Sequence, residues 1–62
     1  MDKWEYLHAE GEDVDGSLIA FDEEDISLED FRDMCERELR EYGGGHIDIY
    51  SPDEEFLGDV EV

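Results

Sequence analysis

Twenty-two Asp and Glu side chains, set against one Lys and three Arg, have to stay in water in a chain of 62 residues. The formal net charge is −18 at pH 7, and it constrains the fold more than any other feature. A domain of this size has one small core, so most positions outside it must be acidic. There is room for roughly four or five secondary elements and none for an enclosed substrate cleft. High charge with low hydrophobicity is also the signature of disorder. Here, however, 39% of the residues are hydrophobic, including three Phe, three Tyr and one Trp, and they fall in periodic runs. The expectation is a folded domain with an acidic surface.

The same charge restricts the partner. A 62-residue domain has a radius of gyration of about 10.5 Å and so is about 27 Å across. Duplex DNA carries one charge per ~1.7 Å of axis, so ~27 Å of it holds about 16 charges. The chain thus carries about as much negative charge as the DNA it would displace. Nucleic acid itself is repelled by such a surface, and so is an anionic membrane leaflet. A basic protein surface is attracted.

The pattern along the chain is ββαββ. Lys3–Ala9 alternates, with Trp4, Tyr6 and His8 on one side and Leu7 and Ala9 on the other. Glu10–Gly16 reads as an acidic turn, Ser17–Phe21 as a second strand, and Asp22–Asp25 as a connector. The helix signal is the strongest. Ser27 is a good N-cap, with Ile26 and Phe31 spaced as a hydrophobic staple. Leu28, Phe31, Cys35, Leu39 and Tyr42 form one apolar stripe, flanked by Met34. Asp33–Arg37 and Glu36–Arg40 are spaced as favourable i,i+4 pairs. The triple glycine 43–45 ends the helix. His46–Tyr50 and Phe56–Val62 alternate as two more strands around a Pro52 turn. One mostly antiparallel four-stranded sheet with a helix on one face is the natural packing, an α+β domain of one unit spanning 1–62. Ile47 and Ile49 then face the helix, leaving His46, Asp48 and Tyr50 on the uncovered face.

The helix segment 28–42 nets minus three, so most of the charge lies elsewhere. Three clusters are expected in loops: Glu10, Glu12, Asp13 and Asp15; Asp22, Glu23, Glu24 and Asp25; and Asp53, Glu54 and Glu55. Charged loops usually serve solubility, but a net charge of about 2–8 suffices for that, and an excess opposes the compact state. Carboxylates at phosphate-like positions would satisfy the Lys and Arg of a nucleic-acid groove. The expected contact set is therefore these clusters, the exposed helix acids Glu29, Asp33 and Glu36, and an aromatic anchor from Trp4 and Tyr50. In size and acidity the chain resembles phage inhibitors of restriction, CRISPR and uracil-repair enzymes. In its many acids and single Lys it also resembles haloarchaeal proteins, whose acidity is an adaptation to salt. Both resemblances are compositional and rest on no motif. The first implies a DNA-mimic inhibitor of a basic nucleic-acid-binding protein; the second implies nothing about partners.

Other chemistries find less support. The segment Gly11–Asp22 partly resembles a calcium loop, with Asp13, Asp15, Gly16 and Asp22 in register, but Gly11 stands where an Asp is required. His8 and His46 lack the spacing of a zinc motif, so no metal or other cofactor is expected. A lone Cys35 forms no internal disulfide, and its place on the apolar stripe suits a small core hydrophobe. The exposed acids lack an environment that would separate two pKa values for acid–base work, so an enzyme is not expected. With no visible signal peptide and no spanning segment, the expected compartment is the cytoplasm. The uncovered sheet face would also suit a homodimer contact.

Overall fold

The fold comes from a computed structural model, which describes residues 3–62. The element order is β1 Lys3–Asp13, β2 Leu18–Ser27, α1 Leu28–Glu41, β3 Gly45–Tyr50 and β4 Phe56–Glu61. The four strands make one open sheet in the order β2-β1-β3-β4. Every neighbouring pair is antiparallel. This is the expected small α+β domain, with α1 carrying the chain across one face from the β2 edge to the far side of β1.

The helix begins where the capping signal places it. Ser27 is extended (φ −77°, ψ 156°) and its Oγ accepts a bond from the Asp30 N–H at 3.1 Å, satisfying one orphan donor of the first turn. Phe31, Cys35 and Leu39 are fully buried, as the stripe requires. Tyr42 is not part of that buried stripe. It is the C-cap residue and is 51% exposed, because the chain already turns away at Gly43, where φ is +90°. The Gly43 N–H reaches the Arg40 carbonyl at 3.2 Å and the Gly44 N–H reaches Leu39 at 2.7 Å. That double closure is a Schellman motif with glycine at its left-handed position. Of the two expected i,i+4 pairs, Glu36–Arg40 closes at 3.0 Å and Asp33–Arg37 does not.

Against the helix, the sheet presents Leu7, Ala9, Ile19, Ile47, Ile49 and Val60, all buried. Phe21 stacks obliquely on Phe31, with ring centroids 5.6 Å apart. Gly11 lies in register with both Ile19 and Ile47. A Cβ there would sit 1.9 Å from the His46 carbonyl oxygen, so only glycine lets β1 and β3 close at that point.

Two expectations change. Glu10 and Glu12 are not in a turn but continue β1, and Asp22–Asp25 is not a connector but the second half of β2. The ladder sets this: Tyr6, Leu7 and His8 pair with Glu24, Glu23 and Asp22. Pairing satisfies the backbone, while alternation sends successive carboxylates out on opposite sides. Asp25, at φ +54°, interrupts that alternation. Beyond it Ile26 packs against the core, as does its register partner Trp4.

Both hairpins turn in the same way. The Asp13 side chain accepts the N–H groups of Asp15 and Ser17, each at 2.9 Å. Ser51 Oγ accepts those of Asp53 and Glu55 at 3.2 and 3.0 Å. In each loop the third residue has positive φ, Gly16 at +84° and Glu54 at +66°, the three-residue hairpin with a left-handed third position.

Candidate functional site

The face of the sheet turned away from α1 is built by register. In one row Asp22, His8, Tyr50 and Phe56 lie abreast; in the next, Ala20, Glu10, Asp48 and Asp59; in the next, Leu18, Glu12, His46 and Glu61. Strands stand about 4.8 Å apart, and same-face residues of one strand about 6.7 Å apart. Six of these twelve positions are carboxylates, set among two imidazoles, the rings of Tyr50 and Phe56, and Ala20 and Leu18 on β2. Among the described residues the face holds no Arg, and the one cation on the sheet is Lys3 at the start of β1. All three Arg lie on α1, and Arg32 reaches the β4 edge beside Asp59 and Glu61.

The two imidazoles hold acids in different ways. His8 Nδ1 bonds Asp22, and its other nitrogen, Nε2, lies 3.1 Å from Glu10. The Asp22 bond raises the His8 pKa above its ordinary value and Glu10 adds to it, while partial desolvation works against both. Asp22 moves the opposite way, its carboxyl lowered chiefly by the His8 bond. Desolvation, then Asp22, pushes the Tyr6 hydroxyl up. His46 presents one nitrogen, Nε2, to two carboxylates, Asp59 at 2.9 Å and Asp48 at 3.4 Å. The Asp59 bond is the largest influence raising the His46 pKa.

A shallow depression beside the first row is lined by Tyr6, His8, Glu10, Tyr50, Ser51, Pro52 and Glu54. Tyr50 is flanked by His8 and by Phe56, whose ring meets it edge-on at 6.1 Å. Phe56 is 59% exposed, which gives this end of the acidic face an apolar rim.

The expected contact residues divide by location. Glu10, Glu12, Asp22, Glu24 and Tyr50 share the open face. Glu23 alternates to the helix side of edge strand β2, and Asp25 stands exposed where that alternation breaks. Asp13 is committed to folding its turn, with Asp15 beside it. Asp53, Glu54 and Glu55 crown the second hairpin, exposed. Glu29, Asp33 and Glu36 lie on α1, across the sheet from the β1 and β2 acids, and Asp33 and Glu36 share a depression at the β4 edge with Asp59 and Glu61. Trp4 is half-buried against the core rather than standing on the open face. Asp59 and Glu61 complete the face but were not among the expected residues; the alternation around Val60 is the signal that points them outward. Asp48 was expected on this face but not as a contact.

The calcium-loop resemblance does not survive the geometry. Gly11–Asp22 is a β-hairpin, and Asp22 is engaged by His8. Cys35 is fully buried, and burial pushes its thiol up to about 11, so it has the protonated, inert character of a core side chain. No helix among the described residues is long and apolar enough to cross a membrane. Comparison with known protein families, with curated proteins and with solved structures finds no match.

Proposed function

We propose that this protein is an inhibitor that occupies the basic nucleic-acid groove of an enzyme or defence complex, using the open sheet face in place of phosphates. The observation that carries the reading is the segregation of charge: an acidic grid on a four-stranded sheet whose one cation is Lys3 at the start of β1, with every Arg on α1. The dimensions support it. The molecule is 33 Å long, and 33 Å of duplex carries about 19 charges, against a net −18 here. A sheet also fixes its carboxylates better than loops would, so less side-chain and backbone freedom is lost on docking. Tyr50 and Phe56 supply an apolar anchor at one end of the grid.

The test is competition. An enzyme captured by this protein is titrated with its own DNA or RNA. Mutually exclusive binding that weakens as salt rises is the expected result. A ternary complex without mutual weakening would contradict the reading. Circular dichroism in dilute buffer and in molar KCl separates it from the salt-adaptation reading. A native spectrum at physiological ionic strength is expected, and a requirement for molar salt would favour the alternative.

A further inference from the structure

We propose that His46, Asp48 and Asp59 form a binding site for a divalent transition-metal ion of the zinc type. One ligand atom from each residue lies within 4.8 Å of the other two. The strand ladder fixes them: Asp48 and Asp59 are register partners, and His46 is two residues from Asp48 on the same strand. Tetrahedral zinc with bonds of about 2.0–2.1 Å needs ligand atoms about 3.4 Å apart. The observed separations from His46 Nε2 are 2.9 and 3.4 Å.

The second histidine shows why this is more than acid crowding. His8 also has two carboxylates beside it, but it meets Asp22 through Nδ1 and Glu10 through Nε2. Its carboxylates lie across the ring from each other and cannot converge on one ion. At His46 both approach the same nitrogen. In the metal-free protein an Nε2–H serves Asp59 at 2.9 Å and leaves Asp48, at 3.4 Å, the longer contact; a cation that takes the place of that proton engages all three ligand atoms. The imidazole also selects the class of ion. Nitrogen suits zinc and its neighbours, whereas calcium and magnesium prefer oxygen throughout. Three protein ligands leave a position for water, and the site opens to solvent, with 48% of the His46 side chain exposed.

Zinc chloride titrated calorimetrically into the full chain, in a non-chelating buffer with enough salt to screen diffuse binding, tests this. One equivalent should bind, and cobalt(II) in its place should give the intense visible bands of four-coordination. His46→Gln and Asp59→Asn should each weaken zinc binding at least tenfold. His8→Gln, equally surrounded by acid, should leave it within twofold. Calcium at tenfold excess should not displace the zinc. Equal losses in the His46 and His8 variants, an octahedral cobalt spectrum, or displacement by calcium would each overturn the proposal. Both His positions are partly exposed strand residues, and amide spectra of the variants confirm that they remain folded.

Discussion

The two faces of the sheet carry opposite instructions within the same strands. Toward α1, six apolar residues of the sheet form one buried cluster with Phe31, Cys35 and Leu39. On the other side, the same four strands place carboxylates abreast, Glu10 beside Asp48 beside Asp59. Like charges directly opposite each other destabilise a sheet. Folding therefore rests on one face and is opposed by the other. A surface that weakens its own fold needs a reason outside the fold, and the proposed recognition of a basic partner would supply one.

The largest effect should come from the covered face. Phe31→Ala removes the largest fully buried side chain and should cost about 3–5 kcal/mol, enough to unfold so small a domain. A thermal melt within a degree or two of the parent would show that the face is not what holds the chain. Gly11→Ala comes next. Its methyl would meet the His46 carbonyl and the Ile47 backbone, and separating two paired strands should cost about 1–3 kcal/mol by denaturant titration.

The open face should respond with the opposite sign. At about pH 9, above the raised values of His8 and His46, where the imidazoles no longer carry a charge that attracts these acids, neutralising the abreast row with Glu10→Gln, Asp48→Asn and Asp59→Asn should stabilise the fold, by about 0.2–1 kcal/mol for each opposed pair relieved. The gain should shrink in molar salt, where screening has already removed the repulsion. A loss of stability in dilute buffer at that pH would mean that repulsion along the row does not oppose the fold and that the contrast between faces is wrong.

The smallest effect is in pH dependence. The His8 pKa is raised in the folded state, so its contribution is fully present below the ordinary imidazole value and is lost as pH rises through the raised one. Asp22 is lowered, so its contribution is present above the ordinary carboxylate range and is lost as pH falls through the lowered value. Between those limits the pair attracts. The stability difference between the parent and His8→Gln should thus be larger at about pH 5 than at about pH 8. A difference that does not change with pH would remove the ion pair from the account.

Much of the covered face was legible in the chain. The helix start follows from Ser27 and the core from the spacing of Phe31, Cys35 and Leu39, because capping and amphipathic period are local. The strand lengths were not. Asp22–Asp25 has no alternation of polarity, and its strand conformation comes from pairing with β1, a contact 14 residues away for His8 and Asp22. Nor was the meeting of His46 with Asp59, which depends on β3–β4 register and a shift in that ladder between Ile49 and Tyr50. Asp13 was readable as an acidic turn residue, but its work in closing the turn rests on two backbone bonds that composition does not reveal.

The central claim is that the open face, and not acidity in general, makes the contact. Two variants of equal charge change put it to the test: Glu10→Gln/Glu12→Gln/Asp22→Asn/Glu24→Gln on the open face, and Glu29→Gln/Asp33→Asn/Glu36→Gln/Glu41→Gln on α1. Each is measured, at one fixed salt concentration, for its ability to displace nucleic acid from the captured enzyme. The open-face variant should lose at least tenfold in affinity while the helix variant stays within about threefold, as expected for exposed charges worth ~0–1 kcal/mol each and far from the contact. Equal losses in the two variants, or a larger loss from the helix, would contradict the account.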